Sequence, residues 1–402
     1  MSNPFRARIA RSVGVFTLTL LAIEFLDEMA FGAREAAWPL IRDDLGLDYM
    51  QVGVLLGLPN FIANFIEPFI GILGDVWRRR ALVLGGGVVF GLALLLMAFS
   101  ESFPVLLVAF ILFSPASGAF VSLSQATLMD TDPARHEHNM ARWTFAGSLG
   151  VVAGTLAVGL VSWFALGWRP LFAIFAGLTL ILLLAASRFH FPRGVPDPES
   201  EEEEALGFKR GVLDAVGALK RREVLRWLTL LEFSDLMLDV LLGFLALYFV
   251  DVVGVSPADA ALAVTVWTVV GLAGDFLIIR LLERVPGLTY LRVSAGVLLL
   301  LYPAFLLAPY LWAKFGLVAL LGLFNAGWYS ILKGNLYSSM PGRSGTVMAV
   351  GNVFGLVGSL LPVAIGAISD NVGLGAAMWI LLLGPVALLV GLPRATSTRT
   401  TI

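Results

Sequence analysis

The chain has 402 residues, of which 58% are hydrophobic and only 14% charged. A soluble domain carries roughly 45–50% apolar and 25% charged residues, so an ordinary soluble enzyme and a disordered chain are both excluded. A net charge of −2 without a basic excess excludes a nucleic-acid-binding module, and the absence of cysteine removes disulfides, thiol nucleophiles and thiolate metal sites.

A membrane-spanning helix needs about 20 apolar residues to cross ~30 Å of hydrocarbon. Twelve apolar runs of that length follow one another, near 12–35, 50–73, 81–100, 104–128, 141–165 and 168–187, then 226–250, 257–280, 288–310, 314–338, 345–367 and 374–392. They are too long, and alternate too little, for barrel strands. Met1–Arg11 is basic, but no small-residue cleavage site follows the first run, so that run is expected to be a retained span and not a signal peptide.

With the N-terminus inside, 22 of the 27 Lys and Arg fall in inner segments. Arg34, Arg42, Arg169 and Lys314 lie toward the outside and Lys333 lies within a span. The positive-inside bias predicts a multi-pass protein of the inner cell membrane with both termini in the cytoplasm. Trp38, Trp143, Trp168, Trp312 and Trp379 sit near span ends and read as interface anchors, whereas Trp267 and Trp328 fall inside spans.

One long polar interruption divides the chain into a six-span unit over 1–190, a linker over 191–225 and a second six-span unit over 226–402. The linker holds Pro192, Pro196, Pro198 and Glu201–Glu204, then Phe208, Val212, Val216 and Leu219 at helical spacing among basic residues. That pattern predicts a solvated tether followed by an amphipathic helix on the inner membrane surface.

The two units repeat at an offset of 208 residues. Glu24-Phe25-x-Asp27-x-Met29 returns as Glu232-Phe233-x-Asp235-x-Met237, and Gly46 as Gly254. Pro133-x-Arg135 returns as Pro341-x-Arg343, and Gly147 and Gly150 as Gly355 and Gly358. Charged, Pro and Gly positions held in one register imply a parallel structural repeat, with a binding site between the halves.

On these residues the chain resembles the major facilitator superfamily. The sharpest local likeness is Gly71-Ile-Leu73-Gly74-Asp75-Val-Trp-Arg78-Arg79-Arg80, similar to that family's G-x-L-x-D-R-x-G-R-R loop, with Val76 and Arg78 departing from it. Its second copy is reduced to Leu281-Leu282-Glu283-Arg284. Pro39-x-Ile41-x-x-Asp44-Leu45-Gly46 is similar to the segment after span 1. The resemblance implies an all-α integral membrane fold, twelve transmembrane helices in two pseudo-symmetric six-helix bundles. At the helix end before three arginines, Asp75 can pair with Arg79 or cap a neighbouring helix. Asp75, Arg79 and Glu283 are therefore the expected inner gate.

Span 1 carries Glu24, Asp27 and Glu28 on one helix face, and span 7 carries Glu232, Asp235 and Asp239 on another. An ionised carboxylate at mid-membrane costs at least ~2.5–3.5 kcal/mol, so six acids cannot face lipid. The resemblance implies that spans 1, 4, 7 and 10 line a central cavity. To it span 10 would bring Lys333, and span 4 Ser122, Ser124 and Gln125. Glu67 and Asp275 stand as further acids in spans 2 and 8.

No phosphate-binding G-x-x-x-x-G-K-[ST] occurs, and His136, His138 and His190 all fall in cytoplasmic segments. The expectation is a non-enzyme without cofactor or resident metal, acting as a monomer in the lipid bilayer on a small-molecule substrate and protons, without nucleic acid. A carboxyl group in a dry site holds its proton to higher pH than in water. Six acids and one base therefore suggest proton-coupled, antiporter-type efflux of cationic or amphipathic molecules, as in multidrug export. The superfamily's antiporter signature ends in Pro, whereas here Gly150-x-x-x-Gly154 is followed by Thr155. Two alternatives stay open: a divalent metal ion transporter, and a proton symporter of a small organic anion or zwitterion held by Lys333.

Overall fold

The computed structural model describes residues 4–76, 79–131, 136–189, 191, 217, 219–340 and 344–393, and among these it holds helices and turns but no strand. The first half contains α1 (Pro4–Leu45), α2 (Tyr49–Val76), α3 (Arg79–Ala98), α4 (Phe103–Met129), α5 (His136–Trp163) and α6 (Arg169–Ala186). The second contains α7 (Arg222–Val253), α8 (Pro257–Leu281), α9 (Gly287–Leu307), α10 (Leu311–Ser339), α11 (Val350–Val372) and α12 (Leu374–Gly391). Each predicted span falls on one of them. The eleven helices after α1 are long and apolar enough to cross a membrane. The twelfth, α1, has the length, and its middle carries Glu24, Asp27, Glu28, Arg34 and Glu35.

Ordinary sequence signals set the helix ends. Ser256 accepts the Asp259 N–H at the start of α8, and Pro257 occupies its first turn, where the missing N–H costs nothing. Gly46 and Gly254, one repeat apart, end α1 and α7 at φ +62° and +80°, a left-handed conformation that side chains resist.

Each half has its own aromatic core. Phe90 packs between Phe113 and Phe120, at 4.6 and 5.6 Å between ring centroids. In the second half Phe305 packs on Tyr248 at 5.1 Å and on Phe249 at 6.0 Å. Large apolar side chains also stand exposed on the outer surface, among them Phe99, Leu300 and Val390. Lipid is the solvent in which that exposure costs nothing.

The halves meet along α2 with α11 and α5 with α8. Gly53 and Gly57 of α2 lie against the backbone of Pro362 and Ser359, the close approach that small residues permit between membrane helices. Among the described residues, the hydrogen bonds between the halves gather toward the end away from the termini, here the distal end. There Arg42 pairs with Asp251, and the Tyr49 hydroxyl donates to the same carboxylate at 2.8 Å. Asp370 accepts the N–H groups of Tyr49 and Met50 at 2.9 and 2.8 Å, capping α2 from the opposite half. Deeper in, the Thr265 hydroxyl bonds that of Thr155 at 2.9 Å.

Two expectations change. Arg34 was expected toward the outside, but α1 runs unbroken to Leu45 through Pro39. Arg34 therefore lies about 16 Å below that helix end, inside the bundle. Lys314 keeps its expected place toward the outside, in the first turn of α10, but its side chain is buried; it donates to the carbonyls of Phe305 and Leu306 at 2.7 and 3.2 Å and to the Tyr248 hydroxyl at 3.0 Å. Of the tryptophans read as interface anchors, Trp38, Trp143 and Trp168 are buried. Trp38 donates to Glu35 and Trp168 to Asp44, so hydrogen bonding within the protein replaces the interfacial role. Most of the linker and its expected amphipathic helix lie outside the described residues.

Candidate functional site

A cavity of about 380 Å³ lies between the halves, bounded by α1, α2, α7, α10 and α11. Its charged lining comprises Arg34, Glu35 and Glu67 from the first half, and Glu232, Asp235, Asp239 and Lys333 from the second. Four of the expected site residues, Glu232, Asp235, Asp239 and Lys333, thus share one space.

Helix α7 positions its acids through an irregularity. It opens into a π turn over Leu236–Val240, and the carboxyls of Asp235 and Asp239 adjoin one another across that turn. Glu232, one turn before, packs against Gly358 of α11 and lies in the field of Lys333. The Lys333 ammonium stands 5.7 Å from the centre of the Tyr329 ring and, among the described residues, forms no ion pair.

The acids of α1 turn toward their own half. The Ser117 hydroxyl of α4 donates to Asp27 at 3.0 Å. Glu24 lies beside Trp143 and Gly147 of α5, where a Cβ on Gly147 would sit 2.6 Å from its Oε1. Glu28 packs its stem on Gly147 and Gly150, and it lies in the field of Asp239 across the interface. Across the interface, Glu28 is the acid of α1 that lies in the field of the α7 acids, through Asp239. The repeat-related Asp27 and Asp235 are held by different neighbours. The glycine spacing of α5 does serve close packing, since a Cβ on Gly154 would lie 2.7 Å from the Ala33 backbone nitrogen.

Gln125 is placed elsewhere. Its amide points to the Met140 sulfur at 3.6 Å, and it lines neither of the cavities described here. Ser124 bonds its own helix at Phe120 O, and Ser122 is exposed. At the expected gate, the Asp75 side chain lies outside the described residues. Arg79 is buried at the start of α3, Arg80 donates to Ser187 O at 2.6 Å, and Glu283 is exposed in the turn after α8.

The pair Arg34–Glu35 escaped the sequence reading. Arg34 donates to Glu35 at 2.8 and 3.0 Å, Trp38 holds the second Glu35 oxygen at 3.2 Å, and the guanidinium lies over the rings of Phe31 and Phe110. The signal was present: Glu35 follows Glu28 two helical turns on, with Arg34 beside it, on a helix that runs on to Leu45. Glu67 and Asp275 also stand 208 residues apart, the repeat offset, and face corresponding places. Glu67 packs on Gly118 of α4, and Asp275 accepts the N–H of Gly327 of α10 at 2.9 Å.

Two repeated helical bundles around a charged central cavity, closed at one end, define a secondary transporter of the alternating-access type. The Major Facilitator Superfamily model matches residues 20–363, and the chain belongs to that family. An uncharacterised transporter of this family from Yersinia pestis is 26% identical over 59% of this chain, a match spanning 59% of that protein. The probable sulfoacetate transporter SauU of Cupriavidus necator is 25% identical over 84% of this chain and 83% of its own length. A chloramphenicol resistance protein of Pseudomonas aeruginosa is 28% identical over 45% of this chain and 43% of its own. Among solved structures, a bacterial homologue of the lysosomal transporter Spinster, in an inward-facing and occupied conformation, superposes with a TM-score of 0.71 at 17% identity, covering 98% of this chain and 95% of that one. A variant of the nucleoside transporter NupG gives 0.78 at 15% identity, over 94% and 98%.

Proposed function

We propose that this transporter exports cationic or amphipathic small molecules in exchange for protons. The observation that carries the reading is the carboxyl excess of the central cavity: five acids face Arg34 and Lys333, and Arg34 is already paired with Glu35. Adjoining carboxyls such as Asp235 and Asp239 cannot both ionise cheaply. A proton and a substrate cation would therefore compete for them, and such competition couples two fluxes. Asp27 and Glu28, behind the cavity wall, extend the relay to α1.

Taking the terminal end as cytoplasmic, from the positive-inside bias, the distal bonds hold an inward-open state. Asp75, Arg79 and Glu283 would close the opposite side when the halves rock. The divalent-metal alternative loses ground, because among the described residues no three acids or histidines converge as metal ligands. Symport of an organic anion keeps one specific support, Lys333 in the cavity, which among the described residues forms no ion pair, together with the similarity to a probable sulfoacetate transporter.

The test is transport of tetraphenylphosphonium and ethidium, against an organic-anion panel, in proteoliposomes with and without a pH gradient. The gradient should drive the cations, and Asp27→Asn, Asp235→Asn and Asp239→Asn should each remove that drive. Cation flux indifferent to the gradient, or gradient-driven flux of anions alone, would overturn the proposal.

A further inference from the structure

A second cavity, of about 640 Å³, lies between α5, α8 and α10. Its walls are mainly apolar and aromatic, including Trp267, Leu272, Ile278 and Tyr329. Only one of its lining residues is charged, Asp275.

That acid sits at a break in α10. The first stretch of the helix ends at Asn325 and the second begins at Trp328, with Gly327 between them at φ +75°. Asp275 spends one oxygen on the Gly327 N–H, at 2.9 Å, which caps the second stretch. From α9, Tyr290 donates to the Ala326 carbonyl at 2.9 Å, and neither α5 nor α10 brings a charged side chain to this cavity. Beside the break, Asn325 is fully buried; its amide NH₂ donates to the Met237 carbonyl, while its oxygen is unpartnered. The cavity therefore presents a carboxylate to a space whose lining, among the described residues, holds no counter-cation, and the Asn325 oxygen stays buried beside it. The repeat-related Glu67 differs, because it shares the other cavity with Arg34.

Charge and shape together select the occupant. A small inorganic ion wants several oxygen ligands and leaves most of such a volume unfilled. An anion would meet Asp275 without a compensating base. A monocation on an apolar or aromatic body would place its charge at the carboxylate, and the rings of Trp267 and Tyr329 attract cations at their faces.

We propose that Asp275 binds the cationic group of the transported molecule, and that the cavity between α5, α8 and α10 holds its apolar body. The proposal rests on the cation-export reading and narrows it to lipophilic monocations. The cation would engage Asp275 beside the central cavity, whose acids it contests with protons, and Tyr329 lines both spaces.

The experiment measures binding of radiolabelled tetraphenylphosphonium to the full chain in nanodiscs, with neutral triphenylphosphine oxide as the uncharged counterpart. Asp275→Asn removes the charge and keeps an oxygen for the Gly327 N–H, so α10 retains its cap. It should weaken the cation about tenfold or more and leave the neutral compound unchanged. Thr268→Phe, which fills the cavity from α8, should weaken both compounds. If the wild type binds the cation and moves it with a pH gradient, while both variants bind as the wild type does, the inference fails and the export reading stands. If the wild type neither binds nor moves the cation, the export reading fails and the inference falls with it.

Discussion

The distal contact between Arg42, Tyr49 and Asp251 makes a sharp prediction about the conformational equilibrium. Asp251 accepts from both the Arg42 guanidinium and the Tyr49 hydroxyl, and the Arg42 and Asp251 side chains retain only 16% and 15% of their exposure. Charge-assisted hydrogen bonds of that kind contribute about 1.5–3 kcal/mol, and fully exposed ion pairs under ~1. An intermediate value of about 1–2 kcal/mol fits this partly buried pair. Since Asp251 and its partners sit on opposite halves, the interaction exists only while the distal end is shut. Asp251→Asn should then shift the closed-to-open ratio by roughly 5- to 30-fold toward distal opening. The chain has no native cysteine, so a spin-label pair introduced at the exposed turn residues Glu101 and Pro309, one in each half, has no background. Electron–electron distance measurements should show a longer-distance population growing in Asp251→Asn and in Arg42→Ala, with little further change in the double variant. Unchanged distance distributions in both single variants would refute the assignment of a latch.

Two further expectations concern stability. Gly154→Val should lower the melting temperature in detergent by several degrees, because the new Cβ meets the Ala33 backbone, which cannot swing aside; Gly159→Val, whose Cβ meets nothing within 4 Å, should leave it unchanged. Lys314→Met keeps the buried stem but strips the last carbonyls of α9 of their donor. It should cost about 1–3 kcal/mol, read as a lower denaturation midpoint without loss of substrate affinity.

Much of this was legible in the residues. Membrane helices satisfy their backbone internally, so an apolar run of sufficient length announces its own structure. The repeat was equally plain, and it carried real geometry. Glu24 and Glu232, one offset apart, both pack on a glycine of the fifth helix of their half, Gly147 and Gly358. Gly46 and Gly254 both end a helix in the left-handed conformation. Reading the acids as facing inward was also sound for Glu232, Asp235 and Asp239, because lipid offers them no partner.

What the residues alone could not decide was depth and rotation. Each residue added to a helix raises its successors by 1.5 Å and turns them by ~100°. Carrying α1 on to Leu45 moved Arg34 from the outer rim into the cavity, where it pairs with Glu35. The π turn at Leu236–Val240 changes the placement of Asp239, which lies within it, relative to Asp235 before it, and Glu28 lies in the field of Asp239. The break in α10 depends on an acid from a different helix, Asp275, and no local pattern shows which carboxylate will reach Gly327. By itself the sequence determined the helices, their number, their pairing into two related halves and the polarity of what they enclose, because backbone hydrogen bonding and the cost of charge in lipid are local constraints. Only the tertiary structure decided which charges meet, because that depends on accumulated rise and rotation along helices packed against partners hundreds of residues away.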